Sequence, residues 1–171
     1  MTAVVKAVAR FASFDGCRSP DAAVVRVAGR PLAVHRIGRF MRTVPIGAKG
    51  AFSLVVRPDH LANRFKDATL PPVLATPIMI MMMENAALNA IKPYLDAGES
   101  AVGTRVDVIH RAATPEGVAV VASAEVTRTD GKRIEFRIEA TDGTRTIGSG
   151  THERSVVNLA ALSERLKNRT A

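Results

Sequence analysis

The chain of 171 residues contains no tryptophan, one tyrosine and one cysteine, and each shortage removes a class of function. With so few rings, stacking platforms for bases or sugars are scarce, and aromatic recognition is not expected. A lone Cys17 can form neither an intramolecular disulfide nor a thiolate metal cluster, which fits a reducing cytoplasm. The four histidines, His35, His60, His110 and His152, are scattered without ligand spacing, so neither a metal nor any other cofactor is expected. Long apolar runs are also missing. The longest candidate, residues 77–83, is cut by Glu84 and Asn85, far short of the roughly 18 to 20 residues of a membrane span. The expectation is a soluble protein with no membrane partner.

Acidic residues are outnumbered, 16 against 24 basic ones, for a net charge of +8. Spread over a folded surface, that excess would point to nucleic acid. It is not spread. Residues 1–46 carry eight of the basic side chains (Lys6, Arg10, Arg18, Arg26, Arg30, Arg36, Arg39 and Arg42) and only Asp15 and Asp21, which leaves +2 for the rest. No nucleic-acid partner is expected. Residues 1–46 are interrupted by Gly16, Pro20, Gly29 and Pro31 and show no sustained period, so they read as an extension outside the core. A flexible appendage, a translation start set too far upstream and an Arg-rich transit peptide remain open explanations. Residues 47–171 read as one globular domain.

Residues 51–56 (AFSLVV) form a short β-rich run with the character of an edge strand. Residues 58–72 read as irregular, with a turn of helix near 60–65. Thr76 followed by Pro77 marks a helix start with Thr76 as N-cap, and Gly98 lies just past an end near Asp96, with Pro93 imposing a kink or an earlier stop. Residues 78–83 are apolar on every face, which describes a helix surrounded by protein. Four strands follow, at 100–111, 118–129, 133–141 and 145–156. Asp130-Gly131 and Asp142-Gly143 are hairpin signals, since glycine admits the positive φ of tight turns. Ile134, Phe136, Ile138 and Ala140 alternate with Arg133, Glu135, Arg137 and Glu139, so one sheet face is wet and the other buried. A short amphipathic helix capped by Asn158 closes the chain. One strand, a central buried helix and a four-stranded antiparallel meander make an α+β chain with the element order of the hotdog fold, an antiparallel sheet wrapped around a long central helix.

Three residues stand out chemically. His110 ends the even-numbered face of its strand, shared with Val102, Val106 and Val108, and so points at the helix; taken alone, such a residue is more often a core histidine bonded to a backbone group. Glu84, in MMMENAAL, is the helix's first acid. Burying it among methionines demands a hydrogen-bonding or cationic partner, or a function. Thr76 can cap the helix and also sit at its positive end, where a developing oxyanion is stabilised.

The segment LATPIMIMMMENAALNAIKPYLDAGESAVGTRVDVIHRAATPEG, followed by IGSGTHERSVV, resembles the hotdog thioesterases similar to fluoroacetyl-CoA thioesterase. The likeness spans residues 73–157, and its most specific parts are the Ala75-Thr76 pair, a Glu eight residues later, GES-x-VGT-x-V-x-V-x-H, ATP-x-G at 113–117 and GTHER at 150–154. It implies an acyl-CoA thioesterase in which Thr76, Glu84 and His110 are catalytic. It further implies that the Gly103 amide lies against the thioester carbonyl and that Arg154 lines the site, with His152 a weaker candidate. By this reading Glu84 attacks or orients water, His110 transfers protons and Thr76 bonds the carboxylate. Selectivity for fluoroacetyl-CoA is associated with an aromatic lid before the catalytic Thr, where only Phe65 is available here, so the acyl group, small or medium, stays open. A homodimer, or a higher oligomer, with sites at its interface is expected, because one sheet on one helix leaves an exposed edge. Two other readings remain: a non-catalytic acyl-CoA-binding dimer and an enoyl-CoA hydratase. The hydratase needs an Asp and a His close together in one loop, whereas Asp107 and His110 fall on opposite strand faces.

Overall fold

A computed structural model describes residues 43–169 except residue 66; the basic stretch 1–42, Cys17 included, lies outside the described residues. The elements run β1 (Lys49–Val55), a 3₁₀ turn (Pro58–His60), α1 (Ala62–Phe65), α2 (Thr76–Ile91), β2 (Glu99–His110), β3 (Ala119–Asp130), β4 (Arg133–Thr141), β5 (Thr146–Asn158) and α3 (Leu159–Lys167). All five strands form one antiparallel sheet in the order β1-β3-β4-β5-β2. β1 is an edge strand, as its sequence indicates. The expected four-stranded meander is corrected: only β3, β4 and β5 pair in succession, while β2 crosses to the far side and pairs with β5. Hairpin turns show where consecutive strands join, but nothing local encodes the partner of a strand that follows a helix.

The sheet curls around α2. Met79, Met82, Met83, Ala86, Ala87, Ala90 and Ile91 are buried on it and pack in one cluster with Val120, Ala122, Ile134, Phe136 and Ile138 of the sheet. Each large side chain removed from water in this way contributes about 1.5–3 kcal/mol. The helix lies against β1 so closely that a Cβ at Gly50 would overlap the backbone of Ala86 and Ala90, and small residues at all three positions permit the approach. Val44 joins the same core, and the Gly47 N–H donates to the Val126 carbonyl at 2.8 Å.

One boundary takes the earlier stop offered by Pro93, and another differs from expectation. α2 stops at Ile91 and tightens into a 3₁₀ turn at Lys92–Tyr94, so Pro93 ends the helix about a turn early. The N-cap is Ala75, without a side-chain cap bond, and Thr76 is the first helical residue. Its hydroxyl therefore makes no cap bond and is free for another partner.

A third difference concerns faces. The register of β2 on β5 shifts between Gly103 and Arg105, leaving Thr104 as the extra residue of a bulge. Before the bulge, odd residues share the helix-facing side, since Ala101 pairs with buried Val156 and Gly103 with buried Arg154. After it, even residues do: Val106 opposes buried His152, and His110 opposes Gly148. Val102 thus faces away from Val106, Val108 and His110, because one inserted residue inverts strand parity. His110 points toward the helix as expected, opposite to exposed Asp107.

Candidate active site

The start of α2 and the end of β2 bring Thr76 and His110 together: Thr76 Oγ1 and His110 Nδ1 are 3.0 Å apart. The other ring nitrogen, Nε2, is buried without a hydrogen-bond partner among the described residues. Both side chains line a cleft of about 340 Å³ whose wall is otherwise mostly aliphatic, with Leu70, Val73, Leu74, Ala112 and Ala113, and with Arg111 beside His110. Two backbone bonds build this wall from distant segments. The Leu74 N–H donates to Thr114 O and the Ala75 N–H to His60 O, 2.8 and 2.9 Å, so the segment before α2 is tied both to the ATP-x-G loop and to the turn before α1. Phe65 ends α1, but its side chain lies outside the described residues.

Glu84 does not join this pair within the chain. Eight helical residues separate it from Thr76, about 12 Å along the axis. Within this chain Thr76 bonds His110 and does not reach the Glu84 carboxylate. The Glu84 side chain, 37% exposed, instead meets Gly103, where a Cβ would overlap its Oε1. The absent side chain at Gly103 is what makes room for the carboxylate, and the bulge at Thr104 is what turns Gly103 toward it.

Beneath lies a buried polar cluster. Arg154 donates from Nη1 to the Glu84 backbone carbonyl and to His152 Nε2, both at 3.2 Å, and from Nη2 to the Ala101 carbonyl at 2.5 Å. His152 is fully buried; its Nδ1 lies 2.8 Å from the Arg105 carbonyl, and its Nε2 lies 3.8 Å from Glu84 Oε1. Burial pushes the His152 imidazole below its ordinary pKa, an effect the Arg105 carbonyl opposes, the Arg154 cation strengthens and Glu84 opposes. Burial also lowers the Arg154 guanidinium, with the Glu84 charge opposing. Because a carbonyl only accepts and a guanidinium only donates, the His152 proton sits on Nδ1 and the lone pair on Nε2 faces Arg154. The close approach to Glu84 is therefore not an ion pair. In sequence, His152 and Arg154 fall on one face of β5 by simple alternation. Their convergence beneath Glu84, 68 to 70 positions away in the chain, carried no local signal.

Comparison with known proteins agrees with this architecture. Residues 56–160 match the family model described as fluoroacetyl-CoA-specific thioesterase, FlK. A fluoroacetyl-CoA thioesterase of Streptantibioticus cattleyicolor is 43% identical over 103 residues, covering 60% of this chain and 74% of that one. A solved structure of the fluoroacetyl-CoA thioesterase FlK superposes with a TM-score of 0.71 at 36% identity, covering 75% of this chain and 99% of the other. A hot-dog-like protein from Thermanaerovibrio acidaminovorans shares the fold at 24% identity and a TM-score of 0.68, over 74% of this chain and 93% of its own. A curled antiparallel sheet around α2, a Thr76–His110 pair at its end and a family match over most of the described domain lead to one conclusion: this chain is a hotdog-fold protein that belongs to the fluoroacetyl-CoA-specific thioesterase family.

Proposed function

We propose that this protein hydrolyses the thioester of a small or medium aliphatic acyl-CoA, with Thr76, Glu84 and His110 as its catalytic residues. The observation that carries the reading is the Thr76–His110 hydrogen bond at the base of an aliphatic cleft, with His110 Nε2 left without a partner. A thioester carbonyl needs an oxyanion donor and a nucleophile or activated water. Thr76 orients the imidazole, His110 moves the proton, Glu84 attacks or directs water, and the Gly103 amide stabilises the oxyanion. Arg154 supports the site from beneath, and Phe65, by its place in the sequence before Thr76, is the aromatic candidate for substrate contact.

The working unit in this proposal is a homodimer. Among the described residues β2 is a free edge, and Ile109 on it is 57% exposed; Val106 stays 37% exposed although it faces the helix side, because α2 does not cover the sheet there. A two-fold pairing of β2 edges is antiparallel, so the His110 end of one strand lies near the Gly103 end of the other. Each site would then draw Thr76 and His110 from one protomer and Glu84 with Gly103 from its partner, which accounts for their separation in a single chain. No further cofactor takes part in this scheme; CoA arrives as part of the substrate.

Thiol release from a panel of short, branched, aromatic and fluorinated acyl-CoAs tests the function, with Glu84→Gln as control. Hydrolysis that disappears in a folded Glu84→Gln dimer supports it. Acyl-CoA binding without release by the wild-type protein would favour a binding protein instead.

A further inference from the structure

The cluster beneath Glu84 contains a residue with no part in the scheme above. His152 is fully buried and clamped from three sides: its ring stacks on Phe136 at 6.0 Å with an interplanar angle of 29°, its Nδ1–H donates to the Arg105 carbonyl, and its Nε2 accepts from Arg154. Arg154 in turn spends its Nη donors on His152 and on the carbonyls of Glu84 and Ala101, and its Nε has no partner among the described residues. No Arg154 nitrogen reaches the Glu84 carboxylate within ion-pair distance, although the same arginine bonds that residue's main chain. Among the described residues, the Glu84 carboxylate oxygens accept no hydrogen bond. A carboxylate so close to a buried guanidinium would ordinarily be drawn into a bidentate pair. Here the arginine is held off it.

We propose that His152 is a positioning residue: with its proton fixed on Nδ1, its Nε2 lone pair fastens Arg154 against the backbone and so keeps the Glu84 carboxylate unpaired and available for the reaction. This inference rests on the thioesterase reading and on Glu84 as a reacting group. The chain of causes is specific. The Arg105 carbonyl, presented just past the bulge at Thr104, fixes the tautomer; the tautomer supplies the acceptor; the acceptor takes an Nη1 proton that would otherwise seek Glu84 Oε1, which lies 3.8 Å from the same Nε2. Without that acceptor, Arg154 swings onto the carboxylate and occupies the lone pairs the reaction uses. The two hydrogen bonds, one at each ring nitrogen, fix the plane of the imidazole beside the Phe136 ring.

The test compares three substitutions at one position in the full chain. In His152→Gln, the side-chain carbonyl replaces Nε2 as an acceptor for Arg154. In His152→Asn, the shorter amide replaces only the Nδ1 donor to Arg105. His152→Ala removes both. Steady-state thiol release on an acyl-CoA that the wild-type enzyme hydrolyses should show kcat falling by up to about 100-fold in the Ala and Asn variants, with KM within about threefold, as misplacement of a reacting group does. The Gln variant should retain most of kcat. Thermal unfolding checks that all three variants are folded, and the Gln and Asn variants guard against an alanine cavity that prevents folding. Wild-type kcat in the Ala or Asn variant, or equal loss in folded Gln and Asn variants, would overturn the inference while leaving the thioesterase reading intact. Absence of turnover from the wild-type enzyme on every acyl-CoA would overturn that reading and this inference with it.

Discussion

The hydroxyl of Thr76 and the Nδ1 of His110 meet at 3.0 Å across the join between the start of α2 and the end of β2. Thr76 can make this bond because Ala75, not Thr76, is the N-cap of the helix. Removing the hydroxyl tests its purpose. Thr76→Val should lower kcat by at least tenfold, toward the lower end of what a positioned proton-transfer group supplies, and cost about 1 kcal/mol of stability. Thr76→Ser should keep both. Thiol-release kinetics and denaturant unfolding on the two variants decide.

Gly103 and Gly150 make a contrasting pair. A Cβ at Gly103 meets the end of the Glu84 side chain, whereas one at Gly150 meets the backbone of Asp107 and Val108 on the neighbouring strand. Gly103→Ala should therefore displace the carboxylate and depress turnover by tenfold or more with little change in Tm. Gly150→Ala should lower Tm markedly, because strand backbones cannot move aside as a side chain can. Equal effects of the two substitutions on Tm would contradict this division.

The dimer proposal predicts that oligomeric state and activity fail together. A charge placed on β2 by Val106→Arg should shift sedimentation from dimer to monomer and remove hydrolysis with it, since each site needs both chains. A fully active monomer would show that the residues of one protomer suffice.

Asp142 carries a pH prediction at a distance from the chemistry. Its carboxylate accepts from the Thr144 hydroxyl and from the Thr144 and Arg145 amides in the β4–β5 turn, which lowers its pKa from 3.8 to about 2. A depressed folded-state pKa means that its stabilisation is complete above the unfolded value and is lost as pH falls through the folded one. The Tm difference between wild type and Asp142→Ala should be constant above about pH 5 and shrink between about pH 4 and 2. A difference that grows on acidification would contradict the assigned bonds.

Much of the site was legible before any coordinates. The interval of eight between Thr76 and Glu84, the strand ending at His110 and the GTHER segment carry the family resemblance, and the family match bears out the hotdog reading. The bulge was not legible, because Val102 continues the even-numbered apolar alternation and nothing in the Gly103-Thr104 pair distinguishes a bulge from a regular strand. That one residue assigned Val102 to the wrong face and concealed how Gly103 reaches Glu84. The polar cluster stayed hidden for a different reason: alternation places His152 and Arg154 on one face of β5 but does not say what lies opposite.

What the sequence alone determined were the properties set by near neighbours. Apolar residues on every side of 78–83 require a surrounded helix, alternating apolar and charged residues at 133–140 require a sheet with one buried face, and the glycines at 131 and 143, at φ of +55° and +86°, require the turns between strands. Tertiary structure alone decided which strand lies beside which and where parity inverts. It also decided that Arg154 is spent on His152 and two carbonyls rather than on the Glu84 carboxylate. These are long-range choices, fixed by the packing of the sheet around α2 and by the cost of leaving buried donors without acceptors, and no local pattern in the chain records them.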